Sequence, residues 1–241
     1  MSGRLIGVGT GPGDPELLTL KAVRALGEAD VVAHFAKDGR NGNARATVAG
    51  FLRPGVEELA LRYPVTTEVP RHEAAYCAAI EGFYARSAAS VEAHLAAGRT
   101  VAVLSEGDPL FYGSYMHLHV RLAPRYEAEV IPGVTAMSGS WSQAGLPLVQ
   151  GDDVLSVLPG TLSEGELVRR LGQCEAAVIM KVGRNLGKIR AALAAAGKLG
   201  RAVYVERATM DATRAVRLAE KADDRAPYFS LVLVPGWEGR P

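Results

Sequence analysis

Short apolar runs alternate with longer stretches of helical period along the chain, and no other feature restricts the fold as much. The pattern opens with an apolar run at 5–8, a helical period at 17–26 and a second run at 31–35. A brief apolar run reads as a strand and a 3.6-residue period as a helix, so this order predicts α/β architecture. Further strands are expected at 58–62, 100–104 and 127–131, with helices at 112–122 and over the alanine-rich segment 73–97. The second half repeats the alternation, with strands expected at 154–158, 176–182, 202–206 and 228–234. Ala123-Pro124-Arg125 is a breaker between a helix and a strand, and it predicts two α/β lobes, 1–122 and 126–241. The polar segment 37–43 reads as an exposed, mobile loop.

Nearly half of the 241 residues are apolar, enough for one large core or two small ones. The longest apolar runs, 176–180 and 230–235, are far too short to cross a bilayer. Met1-Ser2-Gly3-Arg4 precedes the first glycine loop without an apolar signal core, so a cytoplasmic protein is expected. The net charge of +1 and the absence of long single-sign runs call for neither a nucleic-acid partner nor a membrane surface. Cys77 and Cys174 stand far apart without metal spacing and are expected as buried free thiols. His117 and His119 would diverge on a helix, and His72-Glu73 has Tyr76 where a zinc motif needs its second histidine, so no catalytic metal is expected.

Gly7-Val8-Gly9-Thr10-Gly11-Pro12-Gly13-Asp14-Pro15 follows the first strand and precedes a helix. Such a loop lets backbone approach a ligand closely. It is not a P-loop, because the lysine and hydroxyl are missing. It is not a dinucleotide fingerprint either, because Pro12 replaces the last glycine of the frame begun at Gly7. What remains is a rigid turn that offers amides and one carboxylate, and Asp14 suits either a helix cap or a bond to substrate.

Three further segments follow in order: Leu104-Ser105-Glu106-Gly107-Asp108-Pro109-Leu110-Phe111-Tyr112-Gly113, then Val130-Ile131-Pro132-Gly133-Val134-Thr135-Ala136, then Ile179-Met180-Lys181-Val182. With the first loop they resemble the tetrapyrrole (corrin/porphyrin) methylase family over essentially the whole chain. The resemblance implies two α/β lobes with the active site in the cleft between them, holding S-adenosylmethionine in a bent shape. Glu106 before Gly-Asp-Pro, the Phe111-Tyr112-Gly113 after it, and Tyr63-Pro64 are similar to the branch that methylates precorrin-2 at C20 to give precorrin-3A, in cobalamin biosynthesis. Uroporphyrinogen III C-methyltransferases commonly carry Gly-Gly-Asp-Pro instead.

Carried over position by position, the resemblance implies donor contacts at Pro12, Gly107, Asp108, Thr135, Ala136, Met180 and Ala208. Each has a plainer reading: a turn at Gly107-Asp108-Pro109, a helix cap at Thr135, core at Met180. Methyl transfer from sulfonium to carbon asks for alignment, desolvation and removal of one proton. Glu106 and Tyr112 are the candidate acceptors, against a paired carboxylate and an aromatic wall. The carboxylates of a tetrapyrrole call for Arg or Lys; Lys181 and Arg184 are candidates beside Asp14, while Lys188 and Arg190 read as a solvated helix face. The family's habit implies a homodimer. The competing readings are a uroporphyrinogen III or other corrin-ring methylase and, from another class, a non-catalytic nucleotide-ligand-binding protein.

Overall fold

The computed structural model describes residues 3–37, 39–64 and 74–236. The chain forms two compact units, Met1–Thr135 and Ala136–Pro241.

In the first unit, strands β1 (Arg4–Gly9), β2 (Val31–Lys37), β3 (Glu57–Tyr63), β4 (Thr100–Ser105) and β5 (Glu127–Ile131) form one sheet in the order β3-β2-β4-β1-β5. All four pairings are parallel. A sheet of this kind is covered on both faces, which is why its strands read as apolar runs. Leu5, Val31, Ala33, Val101 and Val103 meet one pair of helices, α3 (Ala74–Ala96) and α4 (Tyr115–Leu122), through Val91, Leu95, Leu118 and Leu122. Ile6, Val8, Val32, Ala102 and Leu104 meet the other pair, α1 (Leu20–Glu28) and α2 (Asn43–Thr47), through Ala22, Leu26 and Ala44. Each fully buried Leu, Ile or Val contributes about 1.5–3 kcal/mol, so apolar packing holds the sheet from both faces.

The topology sets where a ligand can reach. β1 and β4 are neighbours, but the chain leaves β1 for α1 on one face and β4 for α4 on the other. Their carboxyl ends therefore flank a switch point, the place where open α/β sheets bind ligands.

In the second unit, β6 (Leu155–Pro159), β7 (Ala176–Met180), β8 (Val203–Glu206), β9 (Arg214–Arg217) and β10 (Ser230–Val234) form a mixed sheet in the order β6-β7-β10-β8-β9. β6 and β7 are parallel and the other pairs antiparallel. Helices α6 (Glu164–Leu171) and α7 (Leu186–Ala195) cover Ile179, Tyr204 and Val232, while α5 (Ala136–Ala144) covers the opposite face through Met137 and Trp141. β7 and β8 both run against β10, so they point the same way and end on one edge of the sheet.

Several sequence-based expectations need correction. The breaker Ala123-Pro124-Arg125 is a turn inside the first unit, because β5 pairs in register with β1, from Arg4 opposite Glu127 to Val8 opposite Ile131. The division falls instead after Thr135. The helix expected at 17–26 starts at Leu20, where the Thr19 hydroxyl accepts from the Ala22 amide at 3.1 Å; Pro15–Leu17 is a separate 3₁₀ turn. The four-residue β9 is missing from the sequence reading because it is a largely exposed edge strand with an arginine at each end. Cys174 is buried as expected, but Cys77 is exposed on α3. Glu73, His72 and Asp38, which fall within the long-helix, zinc-motif and loop readings, lie outside the described residues. No helix among the described residues is long and apolar enough to cross a membrane.

Candidate functional site

In the first unit, the loops after β1, β4 and β5 leave the same edge of the sheet and are tied to one another. Gly107 donates its amide to the Gly11 carbonyl at 2.8 Å, and Gly11 donates to the Gly107 carbonyl at 3.3 Å. The Thr10 hydroxyl and amide both donate to the Ser105 carbonyl, at 3.1 and 2.9 Å. Asp108 joins the third loop, its Oδ2 accepting from the Gly133 amide at 3.2 Å while Oδ1 accepts from the Leu110 amide at 2.9 Å. Pro12 is buried at the turn of the first loop. The switch point thus carries the sequence-predicted Pro12, Gly107 and Asp108 on one laced framework.

Asp14 sits at the end of the first loop, where its Oδ1 accepts from the Glu16 amide at 2.8 Å and caps the turn at Pro15–Leu17. Glu106 precedes Gly107 and bonds the start of α2, taking hydrogen bonds from the Asn43 side chain and the Ala44 amide. Its side chain retains access to solvent, yet the protein crowded around it pushes its pKa above the ordinary carboxyl value; the two hydrogen bonds act the other way. Tyr112 is exposed, rests edge-on against Phe111 with ring centroids 4.9 Å apart, and holds a φ of 56°. Tyr63, singled out beside Pro64, shares a hydrogen bond with Ser114, which also bonds the Tyr84 hydroxyl at 3.0 Å.

In the second unit, Met180 ends β7 and Ala208 follows β8, and each, like Ala136, packs half-buried against the apolar cluster under α5. Lys181 comes next with a φ of 57°, and both it and Arg184 are exposed. Lys188 and Arg190 are not a solvated face. Lys188 donates to the Leu162 carbonyl at 2.6 Å, and Arg190 pairs with Asp224 at 3.0 Å while donating to the Lys221 carbonyl at 3.0 Å. Both are committed to holding the fold.

Left-handed backbone at non-glycine residues is costly and gathers at working sites. Five described residues adopt it: Tyr112, Lys181, Arg207, Thr209 and Ala212. The first two are among the positions the sequence singles out, and the last three lie together in the loop that follows β8. The sequence reading misses two features, the Asn43–Ala44 pair that holds Glu106 and the left-handed backbone at Arg207, Thr209 and Ala212 around the Ala208 it does name. Neither has a motif, because one is a backbone-and-amide contact across 62–63 residues of sequence and the other a property of φ alone. His117 and His119 serve aromatic neighbours: His117 stacks on Tyr84 with centroids 3.9 Å apart, and His119 Nδ1 lies 3.1 Å from the Tyr115 hydroxyl.

A family model described as Tetrapyrrole (Corrin/Porphyrin) Methylases matches residues 4–222. The chain belongs to this family. Among relatives of the tetrapyrrole methylase, a precorrin-2 C(20)-methyltransferase of Sinorhizobium sp is 73% identical over 239 residues, 99% of this chain and 98% of that protein. A cobalt-precorrin-2 C(20)-methyltransferase of Salmonella typhimurium is 32% identical, with 99% of each chain covered. The uroporphyrin-III C-methyltransferase of Thermus thermophilus, solved in complex with S-adenyl homocysteine, is 28% identical and superposes with a TM-score of 0.67, covering 97% of this methylase and 98% of that chain. The α/β architecture expected from the alternating runs is the architecture of these tetrapyrrole methyltransferases.

Proposed function

We propose that this chain is an S-adenosylmethionine-dependent C-methyltransferase of cobalamin biosynthesis that methylates precorrin-2 at C20, giving precorrin-3A. The observation that carries the reading is full-length identity of 73% to a relative named for that reaction. The lower 32% identity to a relative named for the cobalt-loaded acceptor favours the metal-free macrocycle.

The residues present fit the donor. Met180, Ala136 and Ala208 offer a soft apolar wall. Gly11 and Gly107, locked by their mutual hydrogen bonds, offer preorganised backbone close to which a ligand can approach. We assign Pro12, Gly107, Asp108, Thr135, Ala136, Met180 and Ala208 to the donor. It supplies an electrophilic methyl on a good leaving group, so the protein's own tasks are alignment, exclusion of water and acceptance of a proton.

Glu106, with its pKa raised by the protein crowded around it while its side chain keeps access to solvent, suits the acceptor of the proton released from the methylated carbon. Tyr112 offers a ring to the macrocycle and a second hydroxyl. Lys181 and Arg184 are the cations assigned to the substrate carboxylates. Asp14 is engaged as a cap, so the substrate role rests on these two cations. A homodimer working in the cytoplasm completes the reading, on the family's habit and the unremarkable charge.

Incubation with precorrin-2 and methyl-labelled donor, followed by mass measurement and NMR, tests the proposal. One methyl gained at C20 is the expected result. Two methyls on uroporphyrinogen III, or no transfer to precorrin-2, would refute it.

A further inference from the structure

Glu106 stands between two residues whose backbone the neighbouring loop has already fixed. The Ser105 carbonyl accepts from both the amide and the hydroxyl of Thr10, and Gly107 exchanges two hydrogen bonds with Gly11. What remains free at Glu106 is its side chain, which keeps access to solvent. Holding a long carboxylate in one pose beside water costs rotamer entropy. The Asn43 side chain and the Ala44 amide supply that hold, both from the first turn of α2.

Asparagine is a poor helix former whose usual place at a helix start is the cap, where its side chain accepts from the backbone. Here the cap is Gly42, without a side-chain cap bond. A Cβ on Gly42 would stand 2.1 Å from the Phe35 carbonyl oxygen. The chain is thus drawn tight against β2, Asn43 falls one position inside the helix, and its amide is spent on Glu106. A helix as short as α2 is marginal alone, and every later position in it is braced. Ala44 is buried in the core, and Arg45 pairs with Glu58 of β3 at 2.5 and 2.8 Å. The Ala46 amide donates to the Gly42 carbonyl at 3.0 Å, and the Thr47 hydroxyl is shared between the Asn43 carbonyl at 3.0 Å and the Gly13 carbonyl at 3.5 Å. α2 is therefore a rigid mount for the Asn43 side chain.

The elements around this mount carry several charges. His34 of β2 has Nε2 3.9 Å from Glu58, Arg62 of β3 donates to the carbonyl of Lys37 at 3.3 Å, and Arg40 is exposed before α2. Asp14 and Asp108 on the flanking loops accept from backbone amides. At Glu106 itself the protein crowded around it favours the neutral acid, and the Asn43 and Ala44 bonds favour the carboxylate.

We propose that Asn43 is a positioning residue for Glu106, its side-chain amide holding the carboxylate in the pose from which it takes the proton released in methyl transfer. The inference rests on the reading of Glu106 as the proton acceptor and deepens it. The same bond keeps the carboxyl ionised, and so able to accept, in surroundings that oppose the charge.

The pH profile of kcat with precorrin-2 and S-adenosylmethionine, beside thermal unfolding without ligand, tests this on Asn43→Ala, Asn43→Asp and Glu106→Gln. Loss of the amide donor raises the pKa of Glu106. The rise of kcat with pH in Asn43→Ala is therefore expected about one pH unit above that of wild type, the worth of one hydrogen bond. Below the wild-type midpoint kcat is then about tenfold lower with KM little changed, and at high pH the loss narrows. Asn43→Asp keeps the shape, suits the first turn of a helix and puts a negative charge in the donor's place. A larger displacement in the same direction is expected from it, and it reports even where Asn43→Ala unfolds. An unmoved midpoint in the folded variants, or a loss of kcat equal at every pH, overturns this inference alone where Glu106→Gln is impaired. A Glu106→Gln that retains kcat and its pH dependence removes the acceptor reading and this inference together.

Discussion

Gly9 and Gly133 pack backbone against backbone: a Cβ placed on Gly9 would stand 2.5 Å from the Gly133 amide nitrogen and 2.8 Å from the Gly107 carbonyl oxygen. Three loops therefore meet at a spacing that only glycine permits, and the Asp108–Gly133 hydrogen bond at 3.2 Å lies at the same junction. Gly133→Ala would force its new methyl into the Gly107 carbonyl and to 2.9 Å from the Gly9 Cα. A loss of about 1–3 kcal/mol in unfolding free energy is expected, the usual cost of overpacking. Weaker S-adenosylhomocysteine binding should accompany it. Denaturant unfolding and calorimetry measure both, and a variant as stable as wild type would show that the junction is loose.

Gly7 is explained by a different neighbour. The Tyr115 ring lies over it, with Cε1 2.5 Å from where a Cβ would be, and Tyr115 is fully buried. Gly7→Ala should destabilise by about 1–3 kcal/mol. In the Tyr115→Leu background, which vacates part of that space, the same change should cost measurably less, giving a coupling energy of at least about 0.5 kcal/mol in the double-mutant cycle. Strictly additive effects would mean that the strand, not the ring, rejects the methyl.

These two glycines show what the sequence could and could not convey. The alternation of apolar runs places nine of the ten strands among the described residues, because burial of a strand leaves a local signal. The glycine loop announces close approach, but not whether a ligand, a ring or another loop does the approaching; for Gly7 it is Tyr115, 108 residues later in sequence. Asp14 was legible as a cap, since capping is local. The bond from Glu106 to α2 and the commitment of Lys188 and Arg190 to carbonyls across the second unit were not legible, since both depend on tertiary placement. The unit boundary was misplaced for the same reason: nothing at Ala123-Pro124-Arg125 reveals that β5 returns to pair with β1.

His34 offers a test of burial through pH. It is buried on β2 with Nδ1 lacking a hydrogen-bond partner. Burial lowers its pKa from the ordinary 6.5, Glu58 opposes the shift, and Arg45 and Arg62 reinforce it. The folded chain thus holds His34 neutral where the unfolded chain takes up a proton. The stability so conferred is present above about 6.5 and is lost as pH falls toward the depressed folded value. Urea unfolding between pH 8 and pH 5 should show wild type losing more stability than His34→Gln. Parallel curves for the two proteins would count against a neutral buried imidazole.

Glu106 is the residue at which structure and chemistry make competing demands. Its raised pKa means that the folded state holds the proton more tightly than the unfolded chain. The associated stability is present below the ordinary carboxyl value of 4.5 and is lost as pH rises through the folded value. Glu106→Gln cannot titrate, so its stability relative to wild type should improve across that window. Its amide oxygen can still accept from Ala44, which preserves the anchoring of α2. Activity separates the roles. If Glu106 accepts the proton in transfer, Glu106→Gln should lose about 10²–10⁴-fold in kcat with little change in KM, and the rise of wild-type kcat with pH should vanish. If Glu106 only secures α2, the glutamine should retain kcat and its pH profile, and the proton must then leave by Tyr112 or solvent.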